Sequence, residues 1–306
     1  MAAIKSYKGF DKNLKCRDFQ YEIGKEYEMD GEIKVCNRGF HACESPFDVF
    51  DHYTMIDSRF CEVEQDGNIS KEDRGTKICS SKIKIKAELK LADMIYLGVE
   101  WLKEITSPEK IKTSIKDNSS GDGAKIGSSG NDAKIGSSGD DAKIGSSGYG
   151  AKIGSSGNDA KIGSSGNYAK IGSSGYDAQI GSSGDDAQIG SSGDGAKIGS
   201  SGDDAKIGSS GNYAQIGSSG DGAKIGSSGY GAKIDSTGEG CVIMCAGINS
   251  VAKASKGSWI TLSEWSYSDK KQRYIPVCVK TEFVDGEKIK ADTYYKLAGG
   301  VFKEIQ

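Results

Sequence analysis

Proline is nearly missing from this chain, with three in 306 residues. A Pro-rich disordered linker is therefore excluded as the source of its low complexity. A basic excess is missing too: the formal charge is −3 and the isoelectric point about 5.6. Nonspecific nucleic-acid binding is not expected, and the acidic excess is too small to imitate DNA. No run approaches the roughly 18 apolar residues of a membrane span. The opening stretch, MAAIKSYKGF, lacks an apolar core of signal-peptide length. The expectation is a cytoplasmic protein that meets no membrane. Its cysteines (Cys16, Cys36, Cys43, Cys61, Cys79, Cys241, Cys245 and Cys278) are then expected as reduced thiols, mostly buried as small apolar residues.

What the chain has instead is glycine, 44 residues of it, and a nonapeptide. The register Ala-Lys/Gln-Ile-Gly-Ser-Ser-Gly-x-x holds for thirteen units, from Ala124 to Gly240. A degenerate unit precedes it, Ile115 to Gly123. Decayed units follow, with Cys241 in the alanine position, Ile243 in the isoleucine position and Gly247 in the second glycine position. Atypical end units are what a stacked array needs as caps.

Ala and Ile lie two apart, so in a strand they share one face and the Lys or Gln between them points out. Gly-Ser-Ser-Gly and the two variable residues read as a turn, with glycine supplying positive φ. One nonapeptide closed on itself would enclose almost no core. Two units per coil give two parallel sheets face to face, at roughly 4.8 Å per coil. Thirteen units then make about six and a half coils. Whether the serines also face inward is left open.

The outward position supplies a ladder: Lys125, Lys134, Lys143, Lys152, Lys161 and Lys170, before Gln179 and Gln188. It is either a solvated, edge-protecting surface or a face that binds something periodic. Tyr149, Tyr168, Tyr176, Tyr213 and Tyr230 stand at turn positions as exposed aromatics that follow no odd–even alternation. Calcium at every turn is not expected, because the aspartate place (Asp141, Asp186, Asp204) becomes Tyr168, Gly195 or Gly222 elsewhere. Ice binding is not expected on a ladder of Ser and Lys.

The flanks are different text. YEIGKEYEM, GEIKVC, RFCEVEQDG and KICSSKIKIKAEL read as strands. Ser45-Pro46 reads as a helix start, and Ile95, Val99, Leu102 and Ile105 have helical spacing. After about residue 258, alternating strands are broken by Asp285-Gly286 and Gly299-Gly300, both read as hairpin turns. The fold class expected is mainly β: a parallel β-solenoid over 109–257, an N-terminal α+β domain over 1–108, and a small C-terminal antiparallel β cap over 258–306.

Cys36, His41, Cys43 and His52 carry the chemistry of the N-terminal part. The readings are a zinc site, a cysteine nucleophile with His41, or a packed core among Phe40, Ala42, Phe47 and Phe50. No cofactor and no metal is assigned, and no catalytic residue beyond the weak candidates His41, Cys36 and Cys43.

Three blocks together, GFHACESPFDVFDHY, the nonapeptide array and VDGEKIKADTYYKL, resemble an uncharacterised family found mainly in bacteriophages and prophages. The resemblance covers almost the whole chain and implies expression in the cytoplasm of a bacterial host. It carries no established activity. The first expectation is a non-enzymatic protein that binds and blocks a host factor, with counter-defence its most concrete form. The N-terminal domain is the expected recognition element, and the solenoid sets spacing or promotes homo-oligomers. A virion or assembly component is an alternative. So is an enzyme, since a GFHAC turn before a helix is distantly similar to ADP-ribosyltransferase-like folds, in which a short His motif contacts the nicotinamide cofactor.

Overall fold

The computed structural model describes residues 3–55, 57–71, 76–106, 118–119 and 121–305. Degenerate unit Ile115 to Gly123 lies partly outside them. The chain divides into two compact units, Met1–Trp101 and Leu102–Gln306.

The first unit is built on five antiparallel strands: β1 (Ile4–Phe10), β4 (Glu26–Glu28), β5 (Phe40–Cys43), β6 (Arg59–Lys71) and β7 (Lys77–Leu89). A small hairpin, β2 (Lys15–Cys16) with β3 (Phe19–Gln20), follows β1. Strands β6 and β7 form a long hairpin. β1 pairs along β6, β5 pairs along β7, and the sheet curls until β5 meets β1. That closure is made at one position, Tyr7↔Cys43. Inside lie Phe10, Phe40, Val63, Ile83 and Ile85. The KIKI end of β7 alternates, with Ile83 and Ile85 facing the core between half-buried and exposed lysines, whereas Phe60–Cys61 and Ile78–Ser81 are buried on both faces.

Two expected elements differ. GEIKVC is no strand. Gly31 and Gly39 take positive φ, and the chain folds back through a single bridge, Lys34↔Arg38. The Ser45-Pro46 start leads into a short 3₁₀ helix, Phe47–Asp51, with Ser45 Oγ accepting the Asp48 N–H at 3.4 Å. The expected helix is present as α1 (Leu91–Ile105), with Met94, Ile95, Val99 and Leu102 buried. Gly98 is a contact glycine, since a Cβ there would lie 2.7 Å from the Phe47 ring.

The second unit is the solenoid. Thirteen four-residue strands, β9 (Lys125–Ser128) to β21 (Lys233–Ser236), recur every nine residues. β8 (Asn118–Ser119) precedes them; β22 (Val242–Cys245), β23 (Val251–Ala254) and β24 (Trp259–Ser268) follow. Strands pair in parallel with the strand two ahead, in an 18-residue register such as Lys134↔Lys152. Even-numbered strands β8 to β24 form one sheet and odd-numbered strands β9 to β23 the other. The decayed units are true rungs, so the stack runs past the thirteen regular units.

Between the sheets lies a core of one Ala and one Ile per unit, the isoleucines at most 5% exposed. Each buried isoleucine side chain stabilises the stack by about 1.5–3 kcal/mol. The strand is longer than expected, because Gly and the first Ser belong to it. The first Ser therefore faces inward, and among the described residues its Oγ finds no hydrogen-bond partner at Ser137, Ser146, Ser155, Ser164, Ser173 or Ser182.

The turn is shorter than expected, and its positive φ falls on the second variable residue: Asp132 at 53°, Asp141 at 56°, Tyr168 at 60°, Tyr213 at 56°, with glycine in other units. The first variable residue does separate work. Its Asp or Asn Oδ1 accepts the N–H of the same position one coil on, as in Asn131 to Tyr149 at 3.1 Å and Asp140 to Asn158 at 2.7 Å.

At the C-terminal end, β25 (Arg273–Phe283) adds antiparallel to β24. β26 (Tyr294–Ala298) and β27 (Val301–Ile305) form a hairpin that adds antiparallel to β23. Gly299-Gly300 is its turn, as expected. Asp285-Gly286 is not a hairpin turn: β24 and β25 are joined at 269–272, and Asp285 Oδ1 instead accepts the N–H groups of Glu287 and Ile289 where the chain leaves one sheet for the other.

Candidate functional sites

The first site is the seam of the N-terminal sheet. Beyond Tyr7↔Cys43, β1 and β5 diverge, and a cavity of about 750 Å³ opens between Lys8–Gly9 and Phe40–His41. His41, Cys36 and Cys43 all line it, as does His52. His41 Nε2 accepts the Cys36 N–H at 2.9 Å, which holds Cys36 in the left-handed conformation at φ 63°. The imidazole proton is thereby placed on Nδ1. Burial, and then the nearby Lys8 charge, lowers the His41 pKa and keeps the ring neutral. Its basic nitrogen is already in use. Burial pushes the Cys43 thiol up to about 12, so it is no thiolate nucleophile at neutral pH. Cys36 meets His41 through its amide rather than its sulfur. Among the described residues, no group of three His, Cys, Asp or Glu side chains is arranged to hold a metal.

The sequence reading missed Lys8. It sits on the same face of β1 as Phe10, 4% exposed, and its pKa is lowered by desolvation. Its Nζ donates to the His41 carbonyl at 2.9 Å and to Cys16 Sγ at 3.5 Å, and it lies over the Phe10 and Tyr21 rings. Tyr53 Oη also donates to Cys16 Sγ, at 2.9 Å. The Tyr53 side chain packs against Gly9, where any Cβ would collide with its ring at 2.4 Å. The only signal in the sequence was a lysine between aromatics in SYKGF.

The second site is the outer surface of the even-numbered sheet. Two units per coil send alternate units to opposite sheets, so the six lysines do not form one ladder. Lys134, Lys152 and Lys170 stand on the even face, and Lys125, Lys143 and Lys161 on the odd face. The two faces differ. On the odd face Gly145 lies against Leu102 and Thr106, and Gln179 is buried. On the even face Gly154, Gly172, Gly190 and Gly208 have none of the described residues within 4 Å of a would-be Cβ. Gly136, Gly154, Gly172 and Gly190 floor a shallow trough of about 750 Å³ walled by Lys134, Lys152, Lys170, Gln188 and Lys206. Among the described residues, Lys134, Lys152, Lys170 and Lys206 make no ion pair; Lys224 reaches Asp204 at 3.4 Å. Neighbouring ammonium groups one rung apart, at roughly 4.8 Å, repel by about 1 kcal/mol even in water.

The even face continues into an apolar patch. Val242 pairs with Trp259, which pairs with Phe283, and these residues are 49%, 47% and 41% exposed. Met244 and Val279 adjoin them at 54% and 64%. The tyrosines divide between the two edges of the solenoid. Tyr149 and Tyr168 touch at 5.1 Å between ring centroids on one edge. Tyr176, Tyr213 and Tyr230 lie on the other, the last two touching at 5.4 Å. No odd–even alternation appears in the sequence because turns after both sets of strands carry tyrosine: Tyr149 and Tyr168 follow odd-numbered strands, and Tyr176, Tyr213 and Tyr230 even-numbered ones.

Residues 4–97 match a family described as a domain of unknown function (DUF7666), which is consistent with an uncharacterised family for the N-terminal part. Neither the curated proteins nor the solved structures contain a match to the chain. Among the described residues, no helix is long and apolar enough to cross a membrane.

Proposed function

We propose that the chain is a non-enzymatic protein of phage origin that works in the cytoplasm of a bacterial host by binding, and so blocking or sequestering, a host protein such as a defence factor. One observation carries this reading: the even face is an open row in which, among the described residues, Lys134, Lys152, Lys170 and Lys206 make no ion pair over a glycine floor, and it ends in an exposed aromatic and aliphatic patch. Uncompensated like charge invites an acidic partner, and Trp259 with Phe283 supplies an anchor of the kind that dominates protein interfaces. The apolar anchor favours a protein over a nucleic acid. Phage origin is supported by the resemblance of the three sequence blocks. Recognition is assigned to the even face in addition to the N-terminal domain.

The test is affinity capture from host lysate with the full chain and two variants, Lys152→Glu/Lys170→Glu and Trp259→Ala. One host protein recovered in stoichiometric amount by the native chain, and lost with either variant, supports the reading. Capture indifferent to both variants, or no partner at all, rejects the even face as the binding surface.

An enzyme in the N-terminal unit is the second reading, favoured by the gathering of His41, Cys36 and Cys43 at one cavity. His41→Ala separates the two. It should abolish an enzyme's effect, whereas in a binder it removes only the ring's hydrogen bonds to Cys36 and to the Gly39 backbone. Full biological activity with His41→Ala rejects the enzyme.

A further inference from the structure

The seam cavity has a chemistry of its own, independent of the even face. Its cations are Lys8, Arg17 and Lys77, and among the described residues Asp18 is the one carboxylate in its lining. Its aromatic wall is continuous: Phe19 lies 4.7 Å from Tyr21 and 6.2 Å from Phe40, edge to face. Phe19 is 46% exposed although every ring it touches is buried or nearly so, which leaves an aromatic surface facing the opening. At the base of the cavity, Lys8 uses two of its three donors on His41 and Cys16. A nearly buried ammonium without a counter-ion is costly, and an anion at its third donor would offset that cost. A methionine would keep the stem of the side chain but lose the charge and the bonds to His41 and Cys16.

We propose that this cavity is a binding site for a nucleoside phosphate, with the phosphate on Lys8 and Arg17 and the base against Phe19. Several points support this class. The volume, about 750 Å³, is in the range of small-molecule sites, roughly 300–1,000 Å³. The cavity couples a flat apolar wall to a cationic floor, which matches a molecule with a planar ring at one end and an anion at the other. The site also lies where β1 and β5, each paired on its other edge with β6 or β7, part beyond Tyr7↔Cys43 and leave Lys8–Gly9 and Phe40–His41 lining the cavity.

Isothermal titration of the full chain with adenosine 5′-monophosphate, adenosine and inorganic phosphate tests the proposal. One site per chain for the monophosphate is expected, with adenosine and phosphate each at least tenfold weaker. Lys8→Met, which keeps the stem and removes the charge, should weaken the monophosphate at least tenfold without lowering the melting temperature. Phe19→Ala, at an exposed position, should weaken it severalfold and serves if Lys8→Met fails to fold. The proposal is overturned if no heat is seen at millimolar monophosphate, if adenosine binds as tightly as the monophosphate, or if both variants bind like the native chain.

Discussion

A Cβ placed on Gly148 would lie 1.9 Å from the carbonyl oxygen of Gly130, the glycine one coil below it. The same near-contact recurs at Gly157 on Gly139, Gly166 on Gly148 and Gly175 on Gly157. The second glycine of each repeat is thus fixed by close approach of stacked backbones and not by a special φ. The first glycine on the even face is under no such constraint. Gly175→Ala should therefore destabilise the stack by at least about 3 kcal/mol, because backbone must shift to admit it. Gly172→Ala should be neutral or stabilising by up to about 1 kcal/mol, as alanine restricts the unfolded chain. Denaturant melts of both variants check this, and equal losses would refute the stacking argument.

The inward serines are a second test. Ser182 is fully buried and its hydroxyl has no partner among the described residues. A buried, unsatisfied hydroxyl costs about 1–3 kcal/mol. Ser182→Ala should leave the fold intact and raise stability by about 1 kcal/mol. A loss of that size would mean that the hydroxyl is bonded after all.

Tyrosine at the first variable position forgoes an inter-coil bond. Asn158 Oδ1 accepts the Tyr176 N–H at 2.9 Å, but Tyr176 has no side-chain acceptor to offer the N–H of Asp194 one coil on. Tyr176→Asn should add that bond and about 0.5–1.5 kcal/mol of stability. The converse change, Asp203→Ala, removes the acceptor for the Asp221 N–H and should cost a similar amount. Melting curves of the pair decide whether the ladder contributes or is incidental.

Glu264 ties the C-terminal hairpin down. Its two carboxylate oxygens accept the N–H groups of Gly299 and Gly300, each at 2.8 Å, and those bonds hold its pKa below the ordinary 4.5. A depressed folded-state pKa stabilises above the unfolded value and is lost as pH falls through the folded one. Glu264→Gln should therefore melt lower than the native chain at pH 7. The difference should shrink below about pH 4.5. A gap unchanged at pH 3 would show that the charge is not what matters.

The thiols should divide by burial. Cys43, Cys61 and Cys245 are pushed up to about 12 by desolvation, whereas Cys36 is exposed. Under native conditions at pH 8, an alkylating reagent should modify Cys36 quickly and leave those three until the chain unfolds. Mass spectrometry of a time course reads this directly, and early loss of Cys61 would contradict the closed N-terminal sheet.

Much of the architecture was legible because the repeat states it thirteen times. Alternating Ala and Ile demand a buried strand face, and nine residues are too few to close a coil, so two units per turn followed from length alone. Cys241, Ile243 and Gly247 marked the decayed rungs because the same inward positions must still be filled. Where a residue served two needs at once, the sequence was silent. A glycine required by a carbonyl one coil below reads the same as a glycine required by a turn. Lysines nine residues apart look like one ladder until the coil sends them to opposite faces, one covered and one open. Lys8 became a site only when β1 and β5 met at a single residue pair and left a seam, because that contact joins positions 36 residues apart. Local pattern determined the rungs, the core and the caps; which face stayed open and where the sheet parted were decided by long-range packing, which no local pattern encodes.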